Sequence, residues 1–214
     1  MRKLTNQDIH DIALARGYEY AELKAFIQVE STGSGFDKLG NLMIQFEPHV
    51  FAKWLEIFDV EHTLYKSVRE GRTSYRVVAC IKGTTEPIEL TNGIEVQTKE
   101  LAAYDIALKI DERAAKLSTS WGLPQILGQS YDLAGYKSAQ EMIDDFRENE
   151  VNQIHAMCTF IEKAGIKKYL QNCDWANVAR LYNGAGYIKV TDPKRRYDNR
   201  LKEEYEKALK EQPE

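Results

Sequence analysis

Cysteine is scarce in this 214-residue chain. Cys80, Cys158 and Cys173 are an odd and widely spaced set. They form no CxxC pair and no disulfide framework, so the expectation is reduced thiols in a cytosolic compartment rather than a stapled secreted domain. Five prolines and thirteen glycines exclude a collagen-like or low-complexity chain. No apolar run approaches the ~20 residues of a membrane span, so no stable membrane insertion is expected. Met1 to Asp8 has basic residues with no apolar segment behind them, so no secretory signal peptide is read. Positive charge is not in surplus. The 29 Lys and Arg face 33 Asp and Glu, net −4, which argues against a nucleic-acid partner. His10, His49, His62 and His155 lack metal-ligand spacing, and no GxxxxGK[ST] or GxGxxG occurs, so neither a metal nor a cofactor is expected.

What is present is a globular composition, 43% hydrophobic and 29% charged. A chain of this length buries roughly 70% of its unfolded surface without a staple. The pattern reads as a single, monomeric α+β domain over residues 1–214, mainly helical. Thr5 and Asp8 make a capping arrangement ahead of Ile9, Ile12 and Ala13, and that helix ends near Gly17. A second helix runs from about Glu19 to Glu30 on the stripe Leu23, Phe26 and Ile27. Residues 36–46 suggest a small hairpin turning at residues 38–41, with Leu42, Ile44 and Phe46 alternating. Pro48 then opens a helix on Phe51, Trp54 and Leu55. Residues 60–97 read as a divergent insertion with strands near 75–81 and 88–96. Helical spacing returns over 98–116. Ser138 with Glu141 caps a helix, Val151 to Ile161 marks another with Cys158 in its core stripe, Asp174 caps one more, and Asp192-Pro193 opens the last.

Glu30 is the position that carries chemistry. Seven residues after Leu23 and four after Phe26, it falls on the buried face at the end of its helix. Lost hydration and the negative end of the helix dipole both favour the protonated form, which suits a general acid. The plain alternative is a carboxylate that rims the core and reaches solvent past Gly33 and Gly35. A second carboxyl would complete a glycosidase pair. Glu47, just before Pro48, is the candidate and Asp37 its rival. Glu47 reads equally well as a simple charge at a helix N-terminus. Ser120 to Gly128 and Tyr182-Asn183-Gly184-Ala185-Gly186-Tyr187 are polar, Gly-rich segments. In the second, Tyr182 and Tyr187 flank an amide, a set suited to stacking and bonding sugars.

In order, Val29-Glu30-Ser31, Ser120-Trp121-Gly122-Leu123-Pro124-Gln125-Ile126 and Tyr182 to Tyr187 resemble the motifs of the goose-type lysozyme and lytic transglycosylase superfamily. The runs VESTGSGF (29–36) and IQFEPHVF (44–51) resemble more closely the phage endolysin family called N-acetylmuramidase. The likeness spans roughly residues 20–207. It implies a lysozyme-like fold with a small β-hairpin after the helix of the catalytic Glu. It also implies cleavage of the β-1,4 bond between N-acetylmuramic acid and N-acetylglucosamine in peptidoglycan. Glu30 matches the acid, while Ser120, Gln125, Tyr182 and Asn183 match groove residues. Pro124 departs from the family's usual Met or Phe. Glu47 is expected to position water, giving inversion. The resemblance further implies accumulation in a host cytoplasm, a holin-type pore partner, and action on the cell wall. Two other readings stay open: a lytic transglycosylase that leaves 1,6-anhydromuramic ends, and a silent peptidoglycan-binding module. The basic residues Lys194, Arg195, Arg196, Arg200 and Lys202 read as a solvated helix face, or alternatively as an attraction for anionic envelope polymers.

Overall fold

The computed structural model describes residues 2–30, 33–60, 62–70, 74–81, 88–91 and 97–211, and between 62 and 91 the description concerns backbone alone. Helix α1 (Asn6–Arg16) opens on the expected capping box. Thr5 Oγ1 accepts from the Asp8 N–H at 3.1 Å, and Asp8 accepts from the Thr5 N–H at 2.9 Å, satisfying two donors that a helix start leaves free. Gly17 closes α1 at φ +66°, a left-handed conformation that glycine adopts without strain. Helix α2 (Tyr20–Glu30) buries Leu23, Phe26 and Ile27 as their spacing required.

The hairpin after α2 is short. The chain turns at residues 37–41, and around the paired Phe36 and Leu42 the Asp37 N–H donates to the Asn41 carbonyl at 2.9 Å and the Met43 N–H to the Gly35 carbonyl at 2.8 Å. Strand β1 (Ile44–Phe46) takes its partner from far along the chain, because an isolated two-stranded ribbon is marginal in water. Helix α3 (Pro48–Ile57) follows with proline in its first turn. The segment read as an insertion holds a three-stranded antiparallel sheet, β2 (His62–Glu70), β3 (Ser74–Ile81) and β4 (Ile88–Thr91). The first of these strands had no legible pattern, and residues 92–96 lie outside the described residues. The helix expected over 98–116 is two, α4 (Gln97–Ile110) and α5 (Glu112–Leu117). Asp111 interrupts it, capping α5 by accepting from the Ala114 N–H at 2.7 Å. Strands β5 (Thr119–Trp121) and β6 (Ile126–Leu127) complete the antiparallel sheet β1-β5-β6, with Gln45 opposite Ser120.

The remaining helices are α6 (Ala139–Glu148), α7 (Glu150–Lys163), α8 (Lys167–Gln171), α9 (Trp175–Tyr182) and α10 (Tyr197–Ala208). Ser138 caps α6, but the Glu141 side chain reaches the Lys137 N–H, so only half of that capping box forms. Asp192-Pro193 opens a single 3-10 turn, and the α-helix starts only at Tyr197.

Two apolar clusters hold these elements. Phe26, Ile154, Met157, Ile161 and Leu201 unite α2, α7 and α10. Phe46, Phe51, Leu55, Met142 and Phe146 unite β1, α3 and α6. Helix α7 serves both, with Ile154 in the first and Ala156 in the second. Each large side chain so buried contributes about 1.5–3 kcal/mol. Glu30 is therefore rooted in one cluster and Glu47 in the other. No helix among the described residues is long and apolar enough to cross a membrane.

Candidate active site

Glu30 ends α2, where the last carbonyls of the helix have no intrahelical partners. Helix α10 packs along α2 and brings two side chains to that end. The Tyr197 hydroxyl donates to Glu30 Oε1. The Arg200 guanidinium donates to the Val29 carbonyl at 3.0 Å and lies close enough to act on the Glu30 charge. The residue keeps a partly accessible surface although its carboxyl is surrounded by protein. Burial pushes the Glu30 carboxyl up to about 7, against the opposing pull of the Tyr197 hydrogen bond and the Arg200 charge. An acid that holds its proton near neutrality has the property a proton donor needs.

Glu47 stands at the N-cap of α3, but its side chain makes no capping hydrogen bond. Its backbone N–H donates to the Ser118 carbonyl at 2.9 Å, its carbonyl accepts from the Val50 and Phe51 N–H groups, and its carboxyl takes a hydrogen bond of 2.9 Å from Gln45 Nε2. His49 Nδ1 lies 3.4 Å from the other oxygen. Burial pushes the Glu47 carboxyl up to about 7, with the Gln45 bond opposing. The rival, Asp37, is committed elsewhere. It accepts from the Leu39 N–H, the Asn41 N–H and Asn41 Nδ2, all within 2.9 Å. Slight burial raises its carboxyl, and these bonds outweigh that and hold it below the usual range. Asp37 builds the turn.

The expected groove residues separate into two kinds. Ser120 is half-buried and pairs with Gln45 across the sheet, the two sharing one face beside Glu47. Gln125 holds φ +51° in the β5–β6 turn, with Nε2 donating to the Gly122 carbonyl at 2.6 Å. Tyr182 wedges edge-on between Phe26 and Phe160, its hydroxyl donates to the Pro124 carbonyl at 3.0 Å, and burial together with the Glu30 charge holds that hydroxyl protonated. It therefore ties the 120–128 segment to the helix of Glu30. Asn183 is exposed at the end of α9. Tyr187 departs from its expected role as a sugar-stacking residue. It is buried in the first cluster with its hydroxyl donating to the Ala176 carbonyl at 3.2 Å, so its ring supports the loop from beneath. A cavity of about 740 Å3 beside Trp54, Arg113 and Tyr131 includes none of these residues in its walls.

Sequence reasoning missed four contributors. Tyr197 reads as a stripe residue of the last helix, and Arg200 as one of several surface cations. Only the tertiary contact of α10 with α2 gives them a target. Glu100 is buried, 3% exposed, and accepts from the Phe46 N–H at 2.8 Å. Glu150, at the first position of α7, accepts from Ser34 Oγ and the Gly35 N–H, each at 2.8 Å, and from the Leu4 N–H at 2.7 Å. It anchors Ser34 and Gly35, at a helix start where a negative charge is favoured. Among the described residues no group of three or more His, Cys, Asp or Glu is arranged to hold a metal ion.

Comparison with known proteins bears on the family and the fold. The family described as N-acetylmuramidase matches residues 19–209. The fold is similar to that in the crystal structure of a Burkholderia AP3 phage endolysin, with a TM-score of 0.72 at 23% identity, over 98% of this chain and 72% of that one. No curated protein matches the chain.

Proposed function

Since the chain belongs to the N-acetylmuramidase family, whose members are peptidoglycan-cleaving glycosidases, we propose that it hydrolyses the β-1,4 bond between N-acetylmuramic acid and N-acetylglucosamine with Glu30 as general acid and Glu47 as the base that positions water. The observation that carries this reading is the Glu30 carboxyl, enclosed by protein at the end of α2 and held near 7 by burial. The Tyr197 hydroxyl occupies Oε1 as a donor, which leaves Oε2 to carry the proton that goes to the leaving glycosidic oxygen.

The helix ends support this division of roles. Burial raises both carboxyls to about 7. Glu30 lies at a helix C-terminus, where the dipole disfavours its charge, and Glu47 at a helix N-terminus, where the dipole favours it. At about 0.3–1 kcal/mol each, these opposed dipoles favour ionisation of Glu47 and the proton on Glu30, against the Arg200 charge, which favours ionisation of Glu30. Two acids in environments that push them apart are the pattern of an acid and base pair. Different neighbours hold them, Tyr197 and Arg200 for one and Gln45 for the other. Inversion requires a gap of roughly 6.5–9.5 Å between the two carboxyls, wide enough to admit a water. Ser120, Gln125 and Asn183 border the substrate, with Tyr182 fixing the wall behind Glu30. In the cell the enzyme acts on the wall from a host cytoplasm, released through a pore-forming partner.

The test uses purified sacculi. Glu30→Gln abolishes clearing while the circular dichroism spectrum stays native, and the wild type leaves reducing ends of inverted configuration. Wild-type turnover by Glu30→Gln would remove the assignment, and 1,6-anhydromuramic ends would replace hydrolysis by a transglycosylase.

A further inference from the structure

Strand β1 lies at the edge of its sheet, so only one of its two hydrogen-bonding edges has a strand partner. On the paired side the Gly122 N–H donates to the Met43 carbonyl at 2.8 Å, Gln45 faces Ser120, and the Glu47 N–H reaches the Ser118 carbonyl. By the alternation of an antiparallel strand, the backbone groups of Leu42, Ile44 and Phe46 point the other way. Among the described residues no strand meets them there. The first turn of α4 does so with side chains. Gln97 Oε1 accepts from the Ile44 N–H at 3.3 Å and Gln97 Nε2 donates to the Leu42 carbonyl at 3.2 Å. Glu100 Oε2 accepts from the Phe46 N–H at 2.8 Å, on the peptide next to Glu47. The helix thus replaces a missing strand with two residues one turn apart.

We propose that Glu100, together with Gln97, is a positioning residue for the reaction, clasping the outer edge of β1 so that the Glu47 carboxyl is held in register with Gln45 and Ser120. The inference rests on the role given to Glu47 above. Two observations make Glu100 more than an ordinary edge cover. It is 3% exposed and its Oε1 meets no donor among the described residues, so the carboxyl makes only one of the hydrogen bonds open to it. A buried carboxyl so sparsely bonded is a costly way to cap a strand. It is also coupled to the residue it positions. Burial pushes the Glu100 carboxyl up to about 7 against the pull of the Phe46 N–H, and the Glu47 charge raises it further. Ionisation of Glu47 therefore favours the protonated form of Glu100. A neutral carboxyl keeps its carbonyl oxygen for Phe46 and adds no second negative charge beneath the base.

The experiment is a kinetic double-mutant cycle on intact enzyme and soluble muropeptide strands. Glu100→Ala lowers kcat on the order of tenfold to a hundredfold with KM nearly unchanged, because the base is displaced while the groove walls stay. Glu100→Gln keeps an acceptor for the Phe46 N–H and restores kcat to within about threefold of wild type. In a Glu47→Gln background, Glu100→Ala changes the residual rate less than about twofold, since the group it positions is already gone. Where Glu100→Ala does not fold, Gln97→Ala opens the same clasp and gives the same kcat loss. Full kcat in Glu100→Ala, a loss confined to KM, or losses that add in the Glu47→Gln background would each overturn the inference while leaving the Glu30 and Glu47 assignments in place. Wild-type turnover by Glu47→Gln would remove the role of Glu47, and this inference with it.

Discussion

Replacing Glu30 with Gln should stabilise the protein in alkaline solution, and by a calculable amount. The carboxyl is raised from an ordinary 4.5 to about 7 by burial. A group raised in this way contributes its full stability below 4.5 and loses it as pH rises through about 7, because the unfolded chain gives up the proton more readily than the folded one. At 1.36 kcal/mol per pH unit, the gap between 4.5 and about 7 corresponds to a loss of about 3 kcal/mol by pH 8.5. Gln carries no proton to lose and still accepts the Tyr197 hydroxyl at Oε1. Glu47 and Glu100 titrate over the same window, but they do so in both proteins and cancel in the difference. Urea denaturation of wild type and Glu30→Gln at about pH 4.5 and 8.5 should therefore show the stability difference shifting by about 3 kcal/mol in favour of the variant. In a chain of this size that corresponds to about 6–12 °C in Tm. A difference that stays constant across the two pH values would mean that Glu30 ionises as a free glutamate does. The argument for its catalytic proton would then fall, whatever the lysis assay reports.

Tyr197→Phe deletes the hydroxyl that favours the charged form of Glu30, so the carboxyl rises further. The descending limb of the activity–pH profile should move about one unit to higher pH, with kcat reduced at its maximum; a limb that stays or moves lower contradicts the contact. Gly35→Ala would drive a Cβ into the Gln153 side chain, which is fully buried and pinned by the Leu123 N–H at 2.7 Å and the Phe146 carbonyl at 2.8 Å. Overpacking of this kind costs about 1–3 kcal/mol, and chemical denaturation reads it directly; a neutral effect would show that Gln153 yields.

Much of the architecture can be read from residues that act locally. Thr5, Gly17, Pro48, Asp174 and the stripe Leu23, Phe26 and Ile27 act within one helical turn or one helix face, and each does what its chemistry predicts. The pairing of β1 is not legible, because its partner β5 lies some 75 residues on and the intervening sequence carries no register signal. Asp111 likewise looks like one more polar residue in a helix until its side chain is seen capping α5. Glu30 declares itself through its position relative to Leu23 and Phe26. Its partners do not, since Tyr197 and Arg200 are 167 and 170 residues downstream and share with it only a tertiary packing surface. Glu100 illustrates the same limit. Near the start of α4, nothing in its neighbours marks it as buried, and it becomes visible only as the acceptor for an edge strand.

The placement of the buried acids gives the fold a functional logic beyond packing. Glu30, Glu47 and Glu100 each sit where burial favours the proton, and each costs the folded state stability above neutrality. A chain selected for stability alone would carry Gln or Leu at such positions, since an acid held in apolar surroundings is a liability unless its proton is used. The bonding around them is unequal in a telling way. Glu150 is as buried as Glu100 yet receives three donors, and it serves to anchor Ser34 and Gly35. Glu30, Glu47 and Glu100 receive few. Donors around a carboxyl favour its charged form, and burial without them favours the proton. Glu22, buried in the first turn of α2 with the Glu19 N–H as its donor, is raised by burial in the same way, so sparse bonding marks a proton-holding carboxyl and the site reading rests on where Glu30 and Glu47 stand.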